Sequence, residues 1–171
     1  LWKLGCYPRR PVRTIMDFWF SGAGQKIDYK TIIEEIRSHS KLQGQIYVGT
    51  DSHIANSKCI YSTAICLHGA KDQVGGRYFF QRTKFKKEKF PTLMERIMHE
   101  VENTVNTALA ILKECPKVQI ELHLDISAAD KQEKTSRFAD MMIGYAKGVG
   151  FPCKIKPDAF AASTVADKHN K

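Results

Sequence analysis

The clearest pattern in the chain is a run of apolar residues at helical spacing between Thr92 and Pro116. Thr92 and Glu95 match a capping box at the start of this run, and Pro116 closes it. The pattern therefore predicts a long helix with an apolar stripe that faces the core. The residues of that stripe are Met94, Ile97, Met98, Val101, Val105, Ala108, Leu109 and Leu112.

Short β-prone runs come before and after this helix. Three of them, residues 45–50, 59–67 and 77–82, are joined by short polar or glycine-containing turns, which predicts an antiparallel meander. Residues 118–125 alternate apolar and polar side chains with period two, as a strand with two unlike faces does. A final short strand is predicted at residues 151–156.

Further helices complete the predicted order. One begins at Asp28, the predicted N-cap, and runs to about His39; two more are predicted around residues 138–145 and 160–168. A meander followed by strand–helix–strand crossovers predicts a mixed five-stranded sheet flanked by helices, with an extra N-terminal helix. We expect a single α/β domain over residues 18–171, preceded by an N-terminal extension, residues 1–17.

The charge and the cysteine content indicate which kinds of partner and which cellular compartment to expect. With 27 Lys and Arg against 18 Asp and Glu, the net charge is +9, which favours polyanionic partners such as nucleic acid or an acidic membrane surface. No stretch approaches the roughly 20 apolar residues of a membrane span. Free thiols in a cytoplasmic protein are the expected state of the five scattered cysteines, Cys6, Cys59, Cys66, Cys115 and Cys153.

Two aspartates follow predicted strands. Asp51 comes after the first strand and Asp125 ends the fourth. If those strands are parallel neighbours, their ends lie about 5 Å apart and the two carboxylates converge. Such a pair either binds a cation, with oxygen ligands that select Mg²⁺ or Mn²⁺, or shares a proton. Each aspartate could instead form a turn or cap a helix.

Other acidic residues offer further ligands with equally ordinary alternatives. Glu95 either completes the capping box or leans over the sheet edge. Near the end of the chain, Asp158 and Asp167 compete for a fourth position, and each could be only a cap or a solvated charge. The small side chains of Ala161 and Ala162 would let the last helix approach the sheet closely.

Histidines and a basic segment complete the candidates. His53 could orient a water or a phosphate, or be an exposed turn residue, whereas His123 and Glu121 share a strand face and are expected to form a buried hydrogen-bonded pair. A basic loop with two phenylalanines, Phe85 and Phe90, suits a contact with a nucleic-acid backbone or is simply solvated. Its basic residues are Arg82, Lys84, Lys86, Lys87 and Lys89.

Three segments together resemble the YkuK-like proteins, a bacterial group of the ribonuclease H-like superfamily. They are residues 47–53 (YVGTDSH), 121–126 (ELHLDI) and 156–163 (KPDAFAAS), in that order. The resemblance covers roughly residues 18–169, nearly the whole chain. It implies a ribonuclease H-like fold and an acidic catalytic centre.

The resemblance also implies which residues form that centre. Asp51 and Asp125 would be the strand ligands and Glu95 the helix acid, although Glu100 and Glu102 lie on the same helix. The fourth position would be Asp167 by likeness to the superfamily, or Asp158 by the YkuK-like motif. Such a centre would hold two Mg²⁺ or Mn²⁺ ions and cleave RNA, DNA or a hybrid. The alternative is a nucleic-acid-binding module with the same fold and no catalysis.

Overall fold

The fold is built on a seven-stranded mixed sheet, seen in a computed structural model that describes residues 18–129 and 131–171. The strand order is β2-β1-β5-β4-β3-β6-β7. Only the β3–β6 and β6–β7 pairs of this sheet are parallel. The strands are β1 (Trp19–Ser21), β2 (Lys26–Ile27), β3 (Gln45–Ala55), β4 (Lys58–His68), β5 (Gly76–Lys86), β6 (Ile120–Leu124) and β7 (Cys153–Lys154).

The predicted fold class is confirmed, whereas the predicted count of five strands is too low. The meander β3–β4–β5 and the parallel neighbours β6 and β7 stand where the sequence placed them. The two additional strands, β1 and β2, extend the sheet beyond β5. They have three and two residues, too short to show any period along the chain. The predicted extension, residues 1–17, lies outside the described residues.

Four α-helices flank the described sheet. The predicted N-cap of the first helix is confirmed, because the Asp28 side chain accepts a hydrogen bond from the Thr31 backbone at 2.7 Å. A π-helical segment, Ala161–Ala166, leads directly into the short last helix. The helices are α1 (Tyr29–Lys41), α2 (Leu93–Glu114), α3 (Ala139–Gly148) and α4 (Asp167–Asn170).

The buried face of α2 differs from the predicted stripe. Met94, Met98 and Leu109 are each more than a third exposed. The stripe that packs on the sheet is therefore rotated away from these three residues. It includes Ile97, Glu100, Val101, Thr104, Val105, Ala108 and Ile111. This rotation turns one carboxylate of the helix, Glu100, toward the interior.

Strand β3 is longer than predicted, so that Asp51 lies within the strand instead of at its end. The polar residues after Thr50 were interpreted as a turn, but they continue to pair with β4 as far as Ala55. On the other side, the pairing of β3 with β6 stops at Thr50 and Leu124. Asp51 is thus paired on one side and faces an opening of the sheet on the other.

The sheet has two differently covered faces. The main core lies between one face and α1, α2 and α3. On the opposite face the π-helical segment packs closely, as its alanines predicted: Ala161 and Ala162 are fully buried. Gly49 makes this approach possible, because a Cβ there would lie 2.6 Å from the backbone nitrogen of Ala162. The last part of the described chain therefore covers part of the second face.

The structure also describes four of the five cysteines and the lengths of the helices. Cys59, Cys66, Cys115 and Cys153 are free thiols, as predicted, and Cys6 lies outside the described residues. Between residues 18 and 171, position 130 apart, no helix is both long and apolar enough to cross a bilayer.

Candidate functional site

Asp51 and Asp125 come together where β6 ends. The parallel pairing of Thr50 with Leu124 places the next residue of each strand, both aspartates, side by side. Asp51 is 8% exposed. Its pKa is raised to about 7, first by burial and then by the charge and contact of Asp125. The predicted convergence of these two carboxyl groups is thus present in the structure.

Each aspartate has a partner that moderates this repulsion. The Lys156 ammonium lies 3.1 Å from Oδ1 of Asp125, as an ion pair without a well-directed hydrogen bond. Asn170 donates from Nδ2 to Oδ2 of Asp51 at 2.7 Å and holds the pKa of Asp51 lower than burial alone would set it. Asn170, on α4, was not among the residues singled out from the sequence.

Glu100 is the acid of α2 that lies near this pair. It is buried, and its pKa is raised to about 8 by burial and by the charge of Asp51. The Ser52 hydroxyl donates to Oε1 of Glu100 at 2.6 Å. Arg96 in turn approaches the Ser52 hydroxyl, with Nη2 at 3.2 Å. This chain of contacts joins β3 to α2 beside the two aspartates.

Glu95, the residue expected from the resemblance, lies in the capping box instead. Its carboxylate accepts hydrogen bonds from the Thr92 backbone at 3.0 Å and from the Thr92 hydroxyl at 2.8 Å. The Glu95 backbone in turn donates to the Thr92 hydroxyl. Glu95 therefore faces the start of α2, and Glu100, more than one turn further along the helix, occupies the position near Asp51.

The two candidates for the fourth position are turned elsewhere. Asp167 forms an ion pair with Lys171 at 2.9 Å, and its side chain is 38% exposed. Asp158 is exposed in the turn before the π-helical segment, and its charge acts on the pKa of His123. The side chain of the last helix that reaches Asp51 is the buried amide of Asn170.

The expected pair of Glu121 and His123 is confirmed. The Ala161 backbone donates to Nδ1 of His123 at 3.1 Å, so the ring proton is on Nε2, which donates to Glu121 at 3.1 Å. Burial lowers the pKa of His123, which keeps the ring neutral. This histidine fixes the π-helical segment on the sheet. His53, by contrast, is exposed on the same strand face as Asp51.

The carboxyl groups of Asp51, Asp125 and Glu100 do not together form a ligand set for a metal ion. Among residues 18–129 and 131–171, no group of three His, Cys, Asp or Glu side chains could hold a metal ion. Strand alternation explains this, because Ser52 holds Glu100 on the α2 face whereas Asp51 points to the face that α4 covers. The oxygen donors themselves are of the class that Mg²⁺ and Mn²⁺ select.

A basic surface continues from Asp51 across the sheet. Arg82 lies on the same row as Asp51, two strands away, at about 10 Å. Lys84, Lys86 and Lys58 follow on the same face and are exposed. The predicted basic loop is therefore largely part of strand β5; only Lys87 and Lys89 lie in the turn after it. We refer to Lys58, Arg82, Lys84 and Lys86 as the basic face.

The chain matches the family model described as ribonuclease H-like over residues 28–171. The chain belongs to this family. The resemblance to the YkuK-like proteins of this superfamily is thereby confirmed, and the fold is of a nuclease-like, nucleic-acid-related kind. No curated protein and no solved structure matches the chain significantly.

The two phenylalanines of the basic segment do not lie on the face of the sheet to which Asp51 points. Phe85 and Phe90 pack against Tyr61 and His99 on the α2 side of the sheet, with ring centroids 4.6 to 5.9 Å apart. The Lys89 ammonium covers Phe85 at 3.9 Å. Both rings are therefore part of an aromatic cluster on the α2 side of the sheet.

A cleft of about 530 Å³ lies away from the acids, between the start of α1 and the end of α2. Tyr29, Ile33, Arg37 and Glu114 are among its lining residues. Glu114 is about 21 Å further along α2 than Glu100, given the helical rise per residue. The candidate site lies where β6 ends and is separate from this cleft.

Proposed function

We propose that the protein is a metal-dependent nuclease that hydrolyses phosphodiester bonds of RNA, DNA or a hybrid. The observation that carries this proposal is the contact between the carboxyl groups of Asp51 and Asp125 at the head of an exposed basic face. Membership of the ribonuclease H-like family supports a nucleic-acid substrate. Fold alone does not establish chemistry, so the residues must account for it.

The acidic residues fit a divalent cofactor by their donor atoms. Asp51 and Asp125 present carboxylate oxygens, and their mutual repulsion is the kind that a cation between them relieves. Two bound Mg²⁺ or Mn²⁺ ions would supply an activated water and stabilise the leaving oxygen. Asp51 and Asp125 would hold these ions, and Glu100 would join them after leaving Ser52.

The basic face would bind the polyanion beside the acids. Lysines and arginines neutralise phosphates and release counterions, which makes binding sensitive to salt. Lys84 and Lys86 lie along β5, two residues apart on one face, so their spacing follows an extended backbone. His53, exposed in the same row as Lys84, would contact a phosphate near Asp51.

One observation favours a second function, a nucleic-acid-binding module that does not cleave. Lys156 already neutralises Asp125, and Ser52 already holds Glu100. A centre compensated in this way needs no cation to be stable. The basic face would then bind nucleic acid while the acids remained structural.

Cleavage of labelled single-stranded RNA, single-stranded DNA, both duplexes and an RNA/DNA hybrid separates the two functions. Each substrate is incubated with Mg²⁺, with Mn²⁺ and with EDTA, using the wild type, Asp51→Asn and Asp125→Asn. Metal-dependent cleavage that both variants lose supports the nuclease and identifies its substrate class. Binding without cleavage over the whole panel supports the non-catalytic module.

A further inference from the structure

Asn170 is a buried amide with one half of its hydrogen-bonding capacity unused. The residue is 0% exposed. Its Nδ2 donates to Oδ2 of Asp51 at 2.7 Å, whereas its Oδ1 is buried without a hydrogen-bond partner. Buried carbonyl oxygens are normally paired, so an unpaired one on the amide that contacts Asp51 indicates a missing partner.

The position of Asn170 is fixed by its neighbours. The ring of His169 stacks on Phe80 with centroids 3.6 Å apart and contacts the Tyr78 hydroxyl at 3.1 Å. Arg82 donates to the backbone carbonyls of His169 and Lys171, on either side of Asn170. The amide is therefore held against Asp51 by the structure around it.

We propose that Asn170 supplies its amide oxygen as the third ligand, with Asp51 and Asp125, of a site for one divalent ion. This inference rests on the proposed function, which requires an ion at these acids. An amide oxygen is a hard donor that Mg²⁺ and Mn²⁺ accept. With Glu100 held by Ser52, the oxygens near Asp51 that remain for an ion include those of Asp125 and Asn170.

The amide would change roles when the ion binds. Without an ion, Nδ2 donates to the Asp51 carboxylate, as observed. A half-turn of the amide plane exchanges nitrogen and oxygen, because the two ends have nearly the same shape. The oxygen would then face the ion together with the Asp51 and Asp125 carboxylates, and its unpaired state would end.

A purely positioning role for Asn170 makes the opposite prediction for an alanine at this position. If Asn170 serves only as a donor to Asp51, it competes with an ion for the Asp51 carboxylate, so Asn170→Ala leaves ion binding unchanged or tightens it. If Asn170 is a ligand, the same substitution removes an oxygen donor and weakens ion binding. Asn170→Asp, which has nearly the same size as the native side chain, adds a charged oxygen beside the ion and strengthens binding.

The test is calorimetric titration of Mn²⁺ into the nucleic-acid-free full chain. Without substrate we expect the wild type to fill one of the two proposed ion sites, and this Mn²⁺ to bind at least about tenfold tighter in Asn170→Asp and about tenfold weaker in Asn170→Ala. Asp167→Asn, on the same helix, is the matched control and should leave the affinity unchanged. Circular dichroism establishes that each variant is folded.

Three outcomes would overturn the inference. Unchanged or tighter binding by Asn170→Ala, or weaker binding by Asn170→Asp, removes the ligand role while the nuclease proposal stands, provided that Asp51→Asn abolishes Mn²⁺ binding. If the wild type binds no Mn²⁺ and cleaves no substrate, the proposed function fails and this inference fails with it.

Discussion

The hydroxyl of Ser52 lies 2.6 Å from Oε1 of Glu100, in a buried hydrogen bond between β3 and α2. Ser52 is the neighbour of Asp51 along β3 and points to the opposite face. The bond keeps the Glu100 carboxyl beside the two aspartates without bringing it among them. Glu100 therefore stays on the α2 face of the sheet, apart from the two aspartates that meet where β6 ends.

Glu100 and Glu95 should respond to substitution in opposite ways. Glu100→Gln keeps an acceptor for Ser52 and removes the carboxyl group that would bind an ion, so we expect cleavage to be lost while the fold is retained. Glu95→Ala removes the capping box, so we expect a loss of about 1 kcal/mol in the free energy of unfolding and unchanged cleavage per folded molecule. Urea denaturation and initial rates measure both. The assignment of the helix acid is wrong if Glu95→Ala abolishes cleavage and Glu100→Gln does not.

Without metal, the protein should lose stability as the pH rises from 6.5 to 8.5. The folded pKa values of Asp51 and Glu100 are raised to about 7 and about 8. At pH 6.5 the unfolded chain has released both protons, whereas the folded chain holds that of Asp51 up to about pH 7 and that of Glu100 up to about pH 8. Until its folded pKa is passed, each group lowers the free energy of unfolding by up to about 1.4 kcal/mol per pH unit.

Histidines do not obscure this fall in stability. Burial lowers the pKa values of His99, His123 and His169, and their contribution rises with pH only up to about their unfolded value near 6.5. Urea denaturation in EDTA between pH 6.5 and 8.5 measures the fall, which should be smaller in Glu100→Gln. A stability that increases over this range in the wild type contradicts the raised pKa values.

Gly49→Ala should loosen the cover over the acids. The added Cβ would lie 2.6 Å from the backbone nitrogen of Ala162, so the π-helical segment has to shift. We expect a loss of about 1–3 kcal/mol in the free energy of unfolding, with reduced cleavage because Asn170 follows that segment. Gly144→Ala is the control, since a Cβ there meets nothing within 4 Å and lies in a helix. Equal effects of the two substitutions would contradict the conclusion that Gly49 allows the close approach of the π-helical segment.

The basic face should set the salt dependence of nucleic-acid binding. Replacing Lys84 and Lys86 with Gln should weaken binding and reduce the slope of log K against log salt by about 0.7–0.9 for each lost phosphate contact. Lys113→Gln, at the far end of α2, is the matched control and should leave the slope unchanged. Fluorescence anisotropy at several salt concentrations measures both. An unchanged slope in the double variant would show that nucleic acid binds at another surface of the protein.

The sequence predicted the sheet because its periods are long and regular. The meander, α2 and the alternation at residues 120–124 each show several repeats of their pattern. The same reasoning shortened β3, because Ser52 and His53 are polar residues typical of turns, and only their pairing with β4 makes them a strand. Whether such a segment forms a strand depends on its pairing with a neighbouring strand, which its local composition does not show.

The site was predicted as far as topology determines it. Parallel pairing of β3 and β6 follows from the order of elements, and it brings Asp51 and Asp125 together. Glu95 was expected as the helix acid because the apolar stripe had been centred on Met94, which is exposed, whereas the structure places Glu100 near Asp51. Glu100 lies three residues after Ile97 and four before Thr104, inside the true stripe, which was a detectable signal.

Asn170 could not be found by a search for acids. Its contact with Asp51 spans 119 residues and depends on how α4 crosses the sheet. The capping-box reading of Glu95, by contrast, needed only four consecutive residues and is confirmed. Local patterns thus identified caps, and long-range packing determined which side chains share the site.

The most direct test of the central claim is the rate of cleavage of the preferred substrate as a function of Mn²⁺ concentration, in the wild type, Asp51→Asn and Asp167→Asn. The account predicts saturable, Mn²⁺-dependent cleavage that falls at least about a hundredfold in Asp51→Asn and is unchanged in Asp167→Asn. Cleavage that proceeds equally in EDTA, or that survives in Asp51→Asn, would contradict a metal-dependent centre at these aspartates.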